Sequence, residues 1–205
     1  MHRRRCAPFS CVFDQAGEPG GIDSGVFDHD FGNLALKAGT ASGGGVTITT
    51  DDDNAIGINI GSKDGNVAVA AKGTIATGGV GANGLLAIGA SASITWTGNI
   101  DTTGLAADAI GISSSGQTTA TITGALATHG GGSDGVEIFG QSVTLSQSGS
   151  ITTAGDASQG IDATAGAGGL VVDNSADIAT SGAYSTGISA ASVQGAITIR
   201  NHGDA

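Results

Sequence analysis

The chain has 205 residues and a net charge of −11, with glycine at 38 positions and only seven lysines and arginines. Two prolines and no Gly-X-Y period exclude collagen. Aromatics at 3% and charges at 12% argue against both an aromatic-rich enzyme core and a disordered chain, and the lack of basic residues between Lys72 and Arg200 excludes phosphate-backbone binding.

The chain opens on Met1-His2-Arg3-Arg4-Arg5, then an apolar stretch from Cys6 to Phe13 broken by Pro8 and Ser10. No small-residue cleavage site follows before Asp14, so this is a poor secretion signal. Cys6 and Cys11 are the only cysteines, and only His2 is near enough to join them as a metal ligand. Residues 1–38 read as a leader or N-terminal segment, with no fold assigned.

From residue 39 to 205 helix is disfavoured. The longest glycine-free run after Gly17 is Leu170 to Ser181, 12 residues, and each interior glycine costs a helix about 1 kcal/mol. A repeat takes over instead. Units open at Gly73, Gly98, Gly124, Gly149, Ala176 and Gly203, spaced 25, 26, 25, 27 and 27 residues, and Val46 to Lys72 is a looser copy.

Each unit holds three short alternating runs. The first aligns Ile75, Ile100, Leu126, Ile151 and Ile178, with Thr77, Thr102, Thr128, Thr153 and Thr180 two residues on and therefore on the same face. The second aligns Ile56, Leu85, Ile110, Val136, Ile161 and Ile188, with Ile58 opposite Ala87. The third holds Val67/Val69, Ala92/Ile94/Trp96, Ala120/Ile122, Val143/Leu145, Leu170/Val172 and Ile197/Ile199. In Leu85-Leu86-Ala87-Ile88 a one-residue slip would turn Leu86 and Ile88 inward. Before the second run stand Asn54, Asn83, Asp108, Asp134, Gln159 and Thr186, expected to ladder at a corner with Asp108 and Asp134 as like-charge neighbours. The expected fold is all-β, a right-handed parallel β-helix with about 25–27 residues per coil. Its structural core columns are Ile75, Ile100, Leu126, Ile151 and Ile178, and Ile110, Val136, Ile161 and Ile188.

Several motifs mimic chemistry. Gly79-Val-Gly81-Ala-Asn-Gly84 has the dinucleotide spacing but leads into a strand, where the fingerprint needs a helix. Gly131-Gly-Ser133-Asp-Gly135 has the nucleophile-elbow spacing, again with no helix to follow, and reads as a corner loop. Gly78 to Leu85 echoes one calcium-binding nonapeptide, which true calcium rolls repeat in tandem. Asp51, Asp52 and Asp53 are weak Ca²⁺ candidates and are better read as a solvated corner. Asp101 and Asp177 could supply the carboxylates of a polysaccharide-cleaving enzyme, but no aromatic platform accompanies them. No catalytic residue and no cofactor is expected.

Units such as Gly149-Ser-Ile-Thr-Thr-Ala-Gly and Ile178-Ala-Thr-Ser-Gly, and the junction Ile197-Thr-Ile-Arg-Asn201-His-Gly203, resemble the passenger-domain repeats of bacterial autotransporters, over about residues 40–205. The resemblance implies Gram-negative secretion, display at the cell surface or outside it, and contact with host or bacterial surface glycans or proteins. A membrane is expected only through a β-barrel domain absent from this sequence. The expectation is therefore a partial passenger cut mid-coil, a non-enzymatic adhesive stalk presenting corner loops such as Gly130 to Asp134, with self-association at the coil edge. The alternatives are a β-helix polysaccharide-active enzyme or a threonine-array surface or ice-binding solenoid. The array would use Thr47/Thr49, Thr95/Thr97 and Thr121/Thr123, with Val143-Thr-Leu145 and Leu170-Val-Val172 read as breaks in it.

Overall fold

The structure, a computed structural model, describes residues 10–15, 25–29, 33–38 and 45–203. It is all-β: parallel strands in stacked coils form a β-solenoid of about six turns, with no helix among the described residues. In chain order the strands are β1 Ser10–Gln15, β2 Gly25–His29, β3 Asn33–Ala38, β4 Val46–Thr50, β5 Ile58–Ser62, β6 Val67–Thr77, β7 Leu85–Gly89 and β8 Ala92–Thr102. There follow β9 Ile110–Ser114, β10 Gln117–Thr128, β11 Val136–Gly140, β12 Ser142–Thr153, β13 Ile161–Ala165, β14 Leu170–Thr180, β15 Ile188–Ser192 and β16 Ile197–Asn201.

Two sheets result. Strands of 5 residues stack in the order β15-β13-β11-β9-β7-β5-β2. Strands of up to 12 residues stack as β1-β3-β6-β8-β10-β12-β14-β16, and β4 pairs with the second half of β6. The third run of one unit and the first run of the next are thus one continuous strand where the sequence suggested two. The joint is a bend at Gly73, Gly98, Gly124 and Gly149. At Gly98 φ is +134°, and a Cβ there would lie 1.9 Å from the carbonyl oxygen of Gly73 in the coil before. Glycine lets the backbones of successive coils touch without breaking the hydrogen-bonded ladder.

The core is a set of vertical columns. Ile75, Ile100, Leu126, Ile151 and Ile178 stand directly across from one another, all buried. Ile110, Val136 and Ile161 are buried in the short sheet, and Ile188 above them is only half-buried. Leu85 and Ala87 face in and Ile88 faces out, so the one-residue slip does not occur.

One alignment needs correction. Ile58, not Ile56, lies opposite Leu85, and Ile60 lies opposite Ala87. Alternating Ile56, Ile58 and Ile60 fit a two-residue period in any of these frames. What decides is Gly57: a Cβ there would meet the Ile75 side chain at 2.5 Å, as one on Gly84 would meet Ile100 at 2.2 Å. These two glycines belong in one column, which carries Ile58 onto Leu85. Asn54 accordingly leaves the Asn83–Asp108–Asp134 column. It joins Gly81, Ala106, Gly132, Ala157 and Tyr184, all with left-handed backbone near φ +60°.

Candidate functional site

Hydroxyl and amide groups are divided sharply between inside and outside. At the ends of β6, β8, β10 and β12 an inward threonine closes the corner by donating to a carbonyl five residues on. The bonds are Thr77 to Ala82 at 2.5 Å, Thr102 to Ala107 at 2.6 Å, Thr128 to Ser133 at 2.7 Å and Thr153 to Ser158 at 3.2 Å. These hydroxyls are fully used, as buried polar groups must be.

A serine ladder that the sequence reading missed runs beside them. Ser133 Oγ donates to Gly104 O and accepts from Ala107 N–H. Ser158 repeats this with Gly130 and Ser133, and Ser185 with Gly155 and Ser158. Its signal was available, since these serines recur at the unit spacing. Ser133 is therefore a buried structural residue with no helix behind it, and the nucleophile-elbow spacing is a coincidence of the corner. Of the expected contact loop Gly130 to Asp134, only Gly132 is exposed, with Gly131 and Asp134 half-buried.

A second corner ladder carries charge. Asp108 N–H donates to Asn83 Oδ1 at 3.0 Å, Asp134 N–H to Asp108 Oδ1 at 2.8 Å, and Gln159 N–H to Asp134 Oδ1 at 2.6 Å. Burial is the main force on these carboxyls. It pushes Asp108, only 9% exposed, up to about 7, with Glu137 and Asp134 adding repulsion against partial relief from the Asp134 N–H. Burial likewise pushes Asp134 up to about 6, with Asp162 and Glu137 adding to it and the Gln159 N–H opposing. Burial thus biases both corner carboxyls toward the protonated form relative to solvated aspartates.

The carboxylates singled out from sequence do not converge. Asp101 reaches His129 Nε2 at 3.0 Å on the solvent side. Asp177 lies three coils further on and two residues back along the strand, at least about 14 Å away at the inter-strand spacing and beyond the roughly 9.5 Å upper limit for a glycosidase pair. Asp51, Asp52 and Asp53 are exposed, and Asp53 accepts from Val80 N–H at 2.9 Å. Among the described residues no group of three or more His, Cys, Asp or Glu side chains is placed to hold a metal ion. Cys6 and His2 lie outside the described residues, and Cys11, on β1, has no described side chain.

Outside, the face of the long strands before the bend is a grid. Ser93, Thr119 and Thr144 stand in one column, Thr95, Thr121 and Ser146 in the next, and Thr97, Thr123 and Ser148 in the third. Val143 and Leu145 point inward and Thr144 outward, so this coil continues the array that the sequence reading took it to break. Val171 and Asp173 do interrupt it. Thr47 and Thr49 lie after the bend, opposite Thr74 and Ala76, and are not part of it. The aromatics separate equally clearly: Trp96 is buried, Phe139 half-exposed and Tyr184 93% exposed. No protein-family model, curated protein or solved structure matches the chain.

Proposed function

We propose that this chain is a non-catalytic contact rod, part of an autotransporter-type passenger displayed at a Gram-negative cell surface. Its outward strand faces would meet host or bacterial glycans or proteins. One observation carries the reading: the inward threonines close the corners of their own coils and the serine and Asx groups fasten one coil to the next, while repeated strand faces point outward. Such a stack keeps its outward side chains at fixed spacing over many coils, which suits multivalent contact with an extended surface. The resemblance of the repeats to passenger domains supports the location.

The test is an antibody to residues 98–202 used on blots and on intact cells of the native organism, with and without external protease. The expected result is a surface band removed by protease. A protected cytosolic band at the size of the chain itself would contradict surface display and make glycan turnover the next assay.

A further inference from the structure

Three candidates stand out beyond the contact rod: the acidic corner around Asp108, the exposed Asp101–His129 pair, and the outward hydroxyl grid. The corner carboxylates accept bonds from the coils they join, and Asp101 and His129 satisfy one another at the surface. The grid is different, because its groups are placed in two-dimensional order and seven of its nine hydroxyls have no hydrogen-bond partner among the described residues.

We propose that the face built by Ser93, Thr95, Thr97, Thr119, Thr121, Thr123, Thr144, Ser146 and Ser148 binds ice. Strand pairing sets these side chains directly across from one another in three consecutive coils. The repeat is about 4.8 Å from coil to coil and about 6.6 Å along each strand. The shorter repeat is close to the oxygen–oxygen translation along an ice surface, so rows of hydroxyls can take lattice positions together. Below the grid, Ile94, Trp96, Ile122 and Leu145 are buried, and β-branching holds the threonine hydroxyls in few rotamers.

Three further observations choose this occupant. The side-chain hydroxyls of Ser93, Thr95, Thr97, Thr119, Thr121, Thr144 and Ser146 make no hydrogen bond among the described residues, whereas the inward hydroxyls at the corners are bonded. Thr123 and Ser148 bond each other across adjacent coils at 3.1 Å, an in-plane link of the kind an ice layer extends. The face is also uncharged in a chain of net charge −11: charge returns only outside it, at Lys72 and Asp173. An ionic ligand has nothing to pair with here. A crystalline glycan would want an outward aromatic to stack on, and the one tryptophan points inward. Thr121, at the centre of the grid, is the positioning residue whose bulk decides whether a planar lattice can approach.

The proposal does not depend on where the rod is displayed. The experiment uses the full chain, fluorescently labelled on its two cysteines, Cys6 and Cys11, and measures uptake into a slowly growing ice hemisphere together with thermal hysteresis. Thr121→Tyr and Thr95→Tyr raise the face by a ring at β-favourable positions. Thr152→Tyr does the same on the exposed strand face beyond the bend. Uptake by the native chain and by T152Y, with loss of most uptake in T121Y and T95Y at unchanged far-UV dichroism, is expected. Exclusion of the folded native chain from ice overturns the proposal, as does equal uptake by T121Y and T95Y. Retention on microcrystalline cellulose with no uptake into ice overturns it in favour of a glycan surface.

Discussion

Two residues before the bend, the first coils carry Ala71, Trp96 and Ile122 at an inward position, whereas later coils carry Gln147, Asn174 and Asn201 at the same place. The apolar half fills this position by packing beside a glycine bend. In the other half Asn174 Nδ2 donates to Ala176 O at 2.8 Å, and its Oδ1 accepts from Ala176 N–H at 3.2 Å. Here the bend residue is alanine, and the amide side chain holds the turned backbone from inside. Asn201 repeats the link to Gly203 O at 3.2 Å, and even Trp96 donates its Nε1–H to Gly98 O at 3.2 Å. The solenoid therefore specifies a direction and a volume at this position, and a polar side chain is accepted there when the bend supplies its partners. Gln147 shows the limit: one methylene longer, it reaches Ser148 O only at 3.5 Å and leaves a buried Oε1 without a partner.

The largest disruption comes from charge in the apolar columns. Ile151→Asp places an unpaired carboxylate between Leu126 and Ile178 and is expected to cost about 3–5 kcal/mol, read as a fall in the urea midpoint. An unchanged midpoint would contradict the assigned register. Next is the corner, where Asp108 carries the same lesson with a titratable group. Its folded pKa lies above the unfolded value, so its contribution to stability is present below pH 4 and is lost as pH rises through about 7. Asp108→Asn keeps an acceptor for Asp134 N–H and removes the charge. It is expected to stabilise the chain by on the order of 3 kcal/mol at pH 8 and by little at pH 4, checked by denaturation at both pH values.

Smaller changes sharpen the contrast between the two halves of the bend column. Asn174→Leu removes the amide that holds Ala176 and frees Asn201 Oδ1 of its donor, with an expected loss of about 2 kcal/mol. Gln147→Leu removes the orphaned oxygen and should stabilise by about 1 kcal/mol. If both leucine variants move the melting temperature in the same direction, satisfaction by the bend is not what separates these positions.

Much of the fold is legible in the sequence alone. The column from Ile75 to Ile178 follows from the unit spacing, because one buried face repeated at 25–27 residues has only one in-register stacking. The Asn201-His-Gly203 junction has its physical basis in the bond that Asn201 Nδ2 donates to Gly203 O. What escaped depended on contacts between coils. A glycine such as Gly98 reads as a strand end, and only the approach of Gly73 shows it to be a bend within one strand. The frame of Ile56, Ile58 and Ile60 was set by the backbone of Gly57 against Ile75, which a two-residue period cannot see. Val143-Thr-Leu145 lacks the Thr-x-Thr pattern, and only the strand register shows that Ser146 and Ser148 stand across from Thr121 and Thr123 with Thr144 beside Thr119.

The sequence unit is the structural unit, one coil per repeat in strict register. Thr95 and Arg200 occupy the same outward column through Thr121, Ser146 and Asp173, four coils apart. Spin labels at T95C and R200C, with Cys6 and Cys11 replaced by serine, measure that separation directly by dipolar spectroscopy. Four steps at about 4.8 Å predict a narrow distribution centred near 19 Å between backbones, broadened only by the label arms. A broad distribution, or one centred beyond about 30 Å, would contradict the stacked register.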